Sequence, residues 1–377
     1  MTTSRIVAGE TSGDIHGANL ARALQERDPS VRLVGAGGQH MRAAGVEILE
    51  DPTSHASIGF VEAIKNIHRY AKLYRKLQSA MRTYKPDVAV LIDSPDFNLP
   101  LAGRAKDHGI PVVYYIGPQL WAWRSGRVKT IKRVVRKMLV IFPFEEKLYR
   151  DAGVDVAYVG NPLLDHEKDV DRAAVRRGFG SPETLIGLLP GSRRKQFKSL
   201  FPVFRDTAAL IAKEIPKAKF VVACAPAIDA KPARDAGFET VVDRTPEVMA
   251  ASDLLLVASG TATLEAGMYG TPMIVSYKLN PLTAYTIGPI VHMHIQDYAL
   301  VNIVAGRRIV PEYYQAKAKP ERMAAEALAI LRDGRLATMR ADLAELRRKM
   351  GAKGASGRAA DEVLRVARER ASPSPPV

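Results

Sequence analysis

The sequence predicts an α/β protein of two doubly wound domains with a cleft between them, and three observations carry that prediction. The chain has 377 residues, more than one hydrophobic core ordinarily serves. Short apolar runs alternate with helical stretches, the order that yields parallel sheets covered on both faces. The pattern also occurs twice, on either side of the polar, proline-bearing segment NPLLDHEKDVDR at 161–172.

In the first half, strands are predicted at Arg5 to Ala8, Asp87 to Ile92, Val112 to Ile116, Met138 to Ile141 and Val156 to Val159. In the second, they are predicted at Leu185 to Leu189, Lys219 to Cys224, Glu239 to Val242, Leu254 to Val257 and Met273 to Ser276. Most are continuous apolar runs, as strands buried on both faces require. After Pro320 the chain reads as helix, and Ala360, Val363, Leu364 and Ala367 form one apolar stripe that must pack on a partner. The expected boundaries are a first domain at 1–165, a second at 166–345, a terminal helical segment at 346–371 and a frayed tail at 372–377.

Hydrophobic residues at 47% and charged residues at 25% exclude a disordered chain and a membrane-spanning bundle. The single cysteine, Cys224, lies in the apolar run KFVVAC and reads as a buried, inert thiol. The N-terminus enters a strand almost at once, so no cleaved leader and a cytoplasmic location are expected. A net charge of +15 points to an anionic partner: nucleic acid, a phosphorylated small molecule or an acidic membrane surface.

Six segments carry candidate chemistry, and loops at the carboxyl ends of parallel strands are where ligands of this architecture bind. AGETSGDIHG, 8–17, follows the first strand. Its glycines allow close backbone approach, and Ser12 or Asp14 can cap the helix; Glu10, Ser12 and Asp14 are candidate acceptor or sugar contacts. A plain capped turn explains the segment equally well, and its spacing is not a dinucleotide fingerprint. LIDSPDFN, 91–98, places Asp93 and Asp96 at a strand end; Asp96 is the candidate base for transfer to a hydroxyl and Asp93 a local structural residue. Capping of the next helix is open to either. GPQLWAWRSGRVKTIKR, 117–133, offers Trp123 and Arg124 as sugar or phosphate contacts, while filling the interdomain floor is equally open to Trp121 and Trp123, with one of the pair expected to do each.

LLPGSRRKQF, 188–197, ends a strand and opens a helix. Gly191 permits close approach, Ser192 can donate, and Arg193 presents a fork suited to a diphosphate, aided by the helix N-terminus. SGTATLE, 259–265, repeats the arrangement: Ser259, Gly260 and Thr261 offer amides to phosphate, and Glu265 can accept from both hydroxyls of a ribose. Alone it is an ordinary helix cap with Glu265 in a capping box; paired with LPGSR it is half of a diphosphate site. In DYALVNIVAGRRIVPEYYQ, 297–315, Asn302 can read a base or sugar, or simply close its loop. His292 and His294 lack partners for a metal site, so no metal and no cofactor are expected.

Together these segments resemble the lipid-A-disaccharide synthases, bacterial glycosyltransferases of the GT-B class. The resemblance runs from AGETSGDIHG through SIGFVEAI, PDVAVLIDSPDFN, WAWR, FPFE and LPGSR to ASGTATLE and NIVAGRRIVPEYYQ. It implies transfer of diacylglucosamine from UDP-2,3-diacylglucosamine to the 6-hydroxyl of 2,3-diacylglucosamine 1-phosphate, with inversion and release of UDP. It assigns Asp96 as base, Arg193 as a diphosphate or catalytic contact, and Glu265 and Asn302 to the UDP site, and it implies that the final helix returns to the N-terminal domain. Three positions depart from the family pattern: Asn161 where it has histidine, Gln196 where it has an acid, and Val301 before Asn302 in place of proline.

The family works at the inner face of the inner membrane, and the segment Glu62 to Lys85 reads as a basic amphipathic helix suited to an anionic lipid surface. Lys65, Arg69 and Lys72 are its candidate membrane contacts, with Ile58 and Phe60 as apolar acyl contacts; a core-facing helix with a solvated basic face is the other reading. A UDP-N-acetylglucosamine 2-epimerase or another glycolipid transferase is the alternative activity. A nucleic-acid-binding protein would give the SGTATLE and LPGSR pair no role, so nucleic acid is not an expected partner.

Overall fold

The computed structural model describes residues 3–8, 11–51, 67–118, 126–278 and 297–371, and the chain divides into two compact units, Met1–Asp165 with Ala352–Val377, and His166–Gly351. The first unit opens with β1 (Thr3–Ala8), α1 (Thr11–Arg27), β2 (Arg32–Ala36), α2 (Gln39–Ala43) and β3 (Glu47–Glu50). It continues with α3 (Ile67–Tyr84), β4 (Val88–Ile92), α4 (Pro95–Asp107), β5 (Val112–Tyr115) and α5 (Arg127–Val134). It then adds β6 (Lys137–Val140), α6 (Pro143–Asp151) and β7 (Val156–Tyr158). The strands form one parallel sheet in the order β3-β2-β1-β4-β5-β6-β7, which reverses direction of travel between β1 and β4.

The second unit holds α7 (Arg172–Gly178), β8 (Thr184–Leu189), α8 (Arg194–Glu214), β9 (Ala218–Cys224), α9 (Lys231–Asp235) and β10 (Glu239–Val242). After these come α10 (Thr245–Ala251), β11 (Leu254–Ala258), α11 (Thr261–Met268), β12 (Met273–Tyr277), α12 (Leu300–Ala305) and β13 (Glu312–Tyr314). Helices α13 (Pro320–Arg332) and α14 (Arg335–Lys349) complete it. Its parallel sheet runs β10-β9-β8-β11-β12-β13, with the switch point between β8 and β11.

The continuous apolar strands follow from double coverage. In β4, Val88, Val90 and Ile92 enter one core while Ala89 and Leu91 enter the core on the opposite face, so no position is left for a polar residue. The last helix, α15 (Ala355–Ala371), packs on α1 in the first unit and buries Ala360, Val363, Leu364 and Ala367. Its start is pinned by Asp165, whose carboxylate accepts from the backbone N–H groups of Gly354 at 2.5 Å and Ser356 at 3.3 Å. Arg358 adds a hydrogen bond from Nε to the Val159 carbonyl, 2.7 Å.

Two expectations need correction. The boundary placed at 346 falls inside α14, whose Leu346 is buried in the second unit; the division lies after Gly351, where the helix has ended. Three strands were not foreseen. β3 and β13 are short, half-exposed edge strands that carry Glu47, Glu50 and Glu312 rather than an apolar run, and β2 contains Gly35 and Ala36, weak strand formers held by their neighbours.

Candidate functional site

In the second unit the loops after β8 and β11, adjacent strands at the switch point, present two helix N-termini that no side chain caps. Arg193 occupies the cap position of α8 and Gly260 that of α11, and neither makes a side-chain cap bond. Ser192 and Arg193 are exposed, and their side chains make no hydrogen bond or ion pair among the described residues. The capping box open to SGTATLE does not form: Ser259 Oγ instead donates to the Tyr298 carbonyl, 3.2 Å, and Thr263 Oγ1 donates back to the Gly260 carbonyl, 2.8 Å. The first amides of both helices therefore remain available, with favourable helix fields, for an anion.

The two loops are tied together. Gln196, in the first turn of α8, lies over Gly191 and donates from Nε2 to the Ser259 carbonyl, 3.2 Å. Gly191 has φ of +117°, and a Cβ there would meet Gln196 Oε1 at 2.3 Å, so the close approach itself requires glycine. The backbone N–H of Ser259 in turn donates to the Ser276 carbonyl, 2.8 Å, fixing the loop to the sheet.

Glu265 sits one turn into α11, half-buried, with no hydrogen-bond donor or ion-pair partner among the described residues. Burial raises its pKa above the usual carboxylate value. Its carboxylate keeps its acceptor positions open at the mouth of the two loops. At the end of β12, the Tyr277 hydroxyl is also pushed up by burial, partly offset by the nearby Arg193 cation.

Asn302 does not face a ligand. It is fully buried: Nδ2 donates to the Val310 carbonyl at 2.9 Å and to Glu312 Oε1 at 2.6 Å, while Oδ1 accepts from Ile309 N at 2.8 Å and Val310 N at 3.0 Å. Loop closure uses every polar atom it has. Glu312 is its partner in this, accepting also from the N–H groups of Tyr298, 2.8 Å, and Ala299, 3.1 Å, at the start of α12.

In the first unit, Asp96 lies in the first turn of α4 with its side chain 77% exposed, ion-paired with Arg127 at the start of α5. The turn that presents it is strained: Asp93 and Ser94, neither glycine, have φ of 51° and 42°. It persists because buried groups over-determine it. Asn98 Nδ2 donates to the carbonyls of Ile92, 3.0 Å, and Asp93, 2.7 Å, and the Tyr114 hydroxyl donates to the Asp93 carbonyl, 2.5 Å. Burial, with the Asp93 carboxylate nearby, holds the Tyr114 hydroxyl protonated, well above its usual pKa.

Asp14 needs a different role from the one expected. It is 2% exposed, and its carboxylate accepts from the N–H groups of Gly38, 2.7 Å, His40, 3.0 Å, and Met41, 3.1 Å, capping α2 from a distance. No face of it is left for a sugar. Gly17 likewise serves packing, since a Cβ there would strike Met41 Sδ at 2.6 Å. Glu10, Trp123, Arg124, Ile58, Phe60 and Lys65 lie outside the described residues, as do the side chains of Ser12 and Arg69 and the pair His292 and His294. Lys72 is exposed on α3, but Leu73, Leu77 and Met81 of that helix are spent on the core, so over 71–84 only its basic face meets solvent.

The family profile of lipid-A-disaccharide synthetase matches residues 5–365. The chain belongs to that family. The lipid-A-disaccharide synthase of Syntrophus aciditrophicus (strain SB) is 44% identical over 366 residues, covering 94% of this chain and 95% of that protein. That of Myxococcus xanthus (strain DK1622) is 42% identical, covering 95% and 96%. Among solved structures, a putative UDP-N-acetylglucosamine 2-epimerase from Listeria monocytogenes superimposes with a TM-score of 0.65 at 13% identity, covering 99% of this chain and 97% of that one. The glycotransferase of kitacinnamycin gives 0.65 at 19% identity, covering 97% and 99%. These likenesses establish the GT-B type of fold.

The lipid-A-disaccharide synthetase family makes this chain a glycosyltransferase with a UDP-sugar donor. Two of its departures from the family pattern have structural explanations. Asn161, buried, accepts from Leu163 N at 3.0 Å and caps the short 3₁₀ turn that follows β7, so it is a backbone pin rather than a substrate group. Gln196 ties the loop after β8 to the loop after β11. Arg127 and Glu312 were missed although both lie inside quoted segments: Arg127 pairs with Asp96 in another segment, and Glu312 acts only once the loop folds back on Asn302 and the start of α12.

Proposed function

We propose that the protein transfers 2,3-diacylglucosamine from its UDP derivative to the 6-hydroxyl of 2,3-diacylglucosamine 1-phosphate, inverting the anomeric carbon and releasing UDP. The observation that carries this reading is the donor half-site: two uncapped helix N-termini on adjacent strands, with the exposed Arg193 and the unpartnered Glu265. The diphosphate lies against the amides of the two loops, Arg193 compensates the charge that develops as the glycosidic bond breaks, and Glu265 receives the ribose hydroxyls. Asp96, oriented by Arg127, takes the proton from the acceptor hydroxyl as that oxygen attacks. Binding energy for the leaving group thus comes from arginine and helix fields, and the reaction runs without a divalent ion.

The protein also meets an anionic membrane surface. Helices α3 and α5 contain no acidic residue, and their lysines and arginines supply a basic face for headgroups. Incubation with the UDP donor and phosphorylated acceptor in the presence of EDTA tests the transfer: disaccharide and UDP are expected in equal amounts, and Asp96→Asn is expected to lower kcat by about 10²- to 10⁴-fold with UDP affinity unchanged. Absence of disaccharide, or full activity in Asp96→Asn, refutes the respective assignment. Sedimentation with anionic vesicles should fall steeply with salt.

A further inference from the structure

We propose that the groove between α4 and α5 is the subsite for the acceptor's phosphomonoester, an inference that rests on reading the acceptor as a phosphorylated sugar. A cavity of about 730 Å³ opens at Asp96 and runs along α4 and α5, closed on one side by Tyr74 of α3. Its wall carries four cations, Arg104, Lys106, Arg127 and Arg133, against the carboxylates of Asp96 and Asp107. The excess of two positive charges matches a phosphomonoester, which carries about −1.5 to −2 at neutral pH.

The cations are not equivalent. Arg127 pairs with Asp96, Arg104 lies 3.5 Å from Asp107, and Lys106 Nζ donates to the Arg133 carbonyl at 2.6 Å, closing the end of α5. The Arg133 guanidinium is left without a partner among the described residues, on a helix that has no acid to offer it. The floor is open at Gly103: a Cβ there would have nothing within 4 Å. Glycine inside a helix is disfavoured relative to alanine, and here it leaves room over the helix between Asp96 and the arginines.

The spacing suits one sugar. Arg104 lies eight residues beyond Asp96, about 12 Å along the helix axis; both side chains lean back towards the N-terminus, and the longer arginine reaches further, which shortens that separation. A hexose whose 6-hydroxyl meets Asp96 then points its anomeric phosphate down the groove towards Arg104 and Arg133. An anionic lipid headgroup shares the phosphate chemistry but makes no use of the proximity to Asp96.

Two variants test the subsite. Arg133→Ala is expected to weaken direct binding of the phosphorylated acceptor, measured by calorimetry without donor, by about 10- to 100-fold, and to raise its KM similarly with kcat within about twofold. The same acceptor lacking its phosphate should bind Arg133→Ala and the unaltered protein alike. Gly103→Met starts from an open Cβ position and extends into the groove, so it should raise the acceptor KM while the melting temperature holds or rises and UDP affinity stays the same. Unchanged binding in Arg133→Ala, equal losses for both acceptors, or loss of anionic-vesicle binding at unchanged acceptor affinity would overturn the subsite. If the unaltered protein binds the phosphorylated acceptor through Arg133 yet forms no disaccharide, the transfer reading fails and the subsite stands.

Discussion

Glu265 offers two coupled readouts of one substitution. Its carboxyl is half-buried, receives no hydrogen bond among the described residues, and is held above its usual pKa of 4.5 by burial. Between that value and the raised folded value, the folded state binds more protons than the unfolded chain, so its contribution to stability falls as pH rises through the window. Glu265→Gln keeps the shape and removes the charge. Without ligand, the variant should melt higher than the unaltered protein at neutral pH, and the gap should close as pH drops towards 4.5. On the proposed assignment bound UDP reverses the balance, because ribose hydroxyls then supply the donors that the carboxylate lacks. Hydrogen bonds to a charged group contribute about 1.5–3 kcal/mol, so Glu265→Ala should weaken UDP binding by about 10- to 150-fold and Glu265→Gln by about 10-fold. In the unaltered protein, UDP should bind more tightly as pH rises through the window and release a proton on doing so. Calorimetry in buffers of different ionisation heat, with thermal melts at matched pH, measures both. UDP binding by Glu265→Ala at full affinity would refute the ribose assignment, and identical melting at neutral pH would refute the burial argument.

Three further substitutions separate scaffold from site. Asp14→Ala orphans three backbone donors at the start of α2 and should cost about 3 kcal/mol in chemical denaturation, without changing UDP affinity in the protein that remains folded. Gln196→Ala unties the two donor loops and should raise the donor KM by about 5- to 10-fold with little change in the acceptor KM, losing about 1 kcal/mol of binding; initial-rate kinetics in both substrates resolve this. Tyr114→Phe removes one clamp from the strained Asp93–Ser94 turn and should lower kcat several-fold, with about 1 kcal/mol of lost stability and unchanged UDP binding.

Much of the scaffold was legible because burial on both faces writes itself into a strand. VAVLI and LLLVA have no polar residue since neither side of either strand meets water. The glycine and serine loops at their ends, and the helix starts beyond them, were equally visible, because backbone approach to an anion demands small residues locally. Edge strands such as EILE and EYY were not, because half their surface is solvent and they need no continuous apolar code.

The sequence by itself determined the doubly covered apolar strands, which loops carry polar groups, and that SGTATLE and LPGSR stand at the same edge of one sheet. Only the tertiary structure decided how each polar group is used. Asp14 and Asn302 have the residue type of ligand contacts, but Asp14 is consumed by backbone amides 24 to 27 residues on and Asn302 by its own folded-back loop, whereas the Glu265 carboxylate receives nothing among the described residues and Arg193 stays exposed. A hydrogen-bond partner is a matter of position within about 3 Å, and the chain neighbours that spell a motif do not fix which distant segment arrives there.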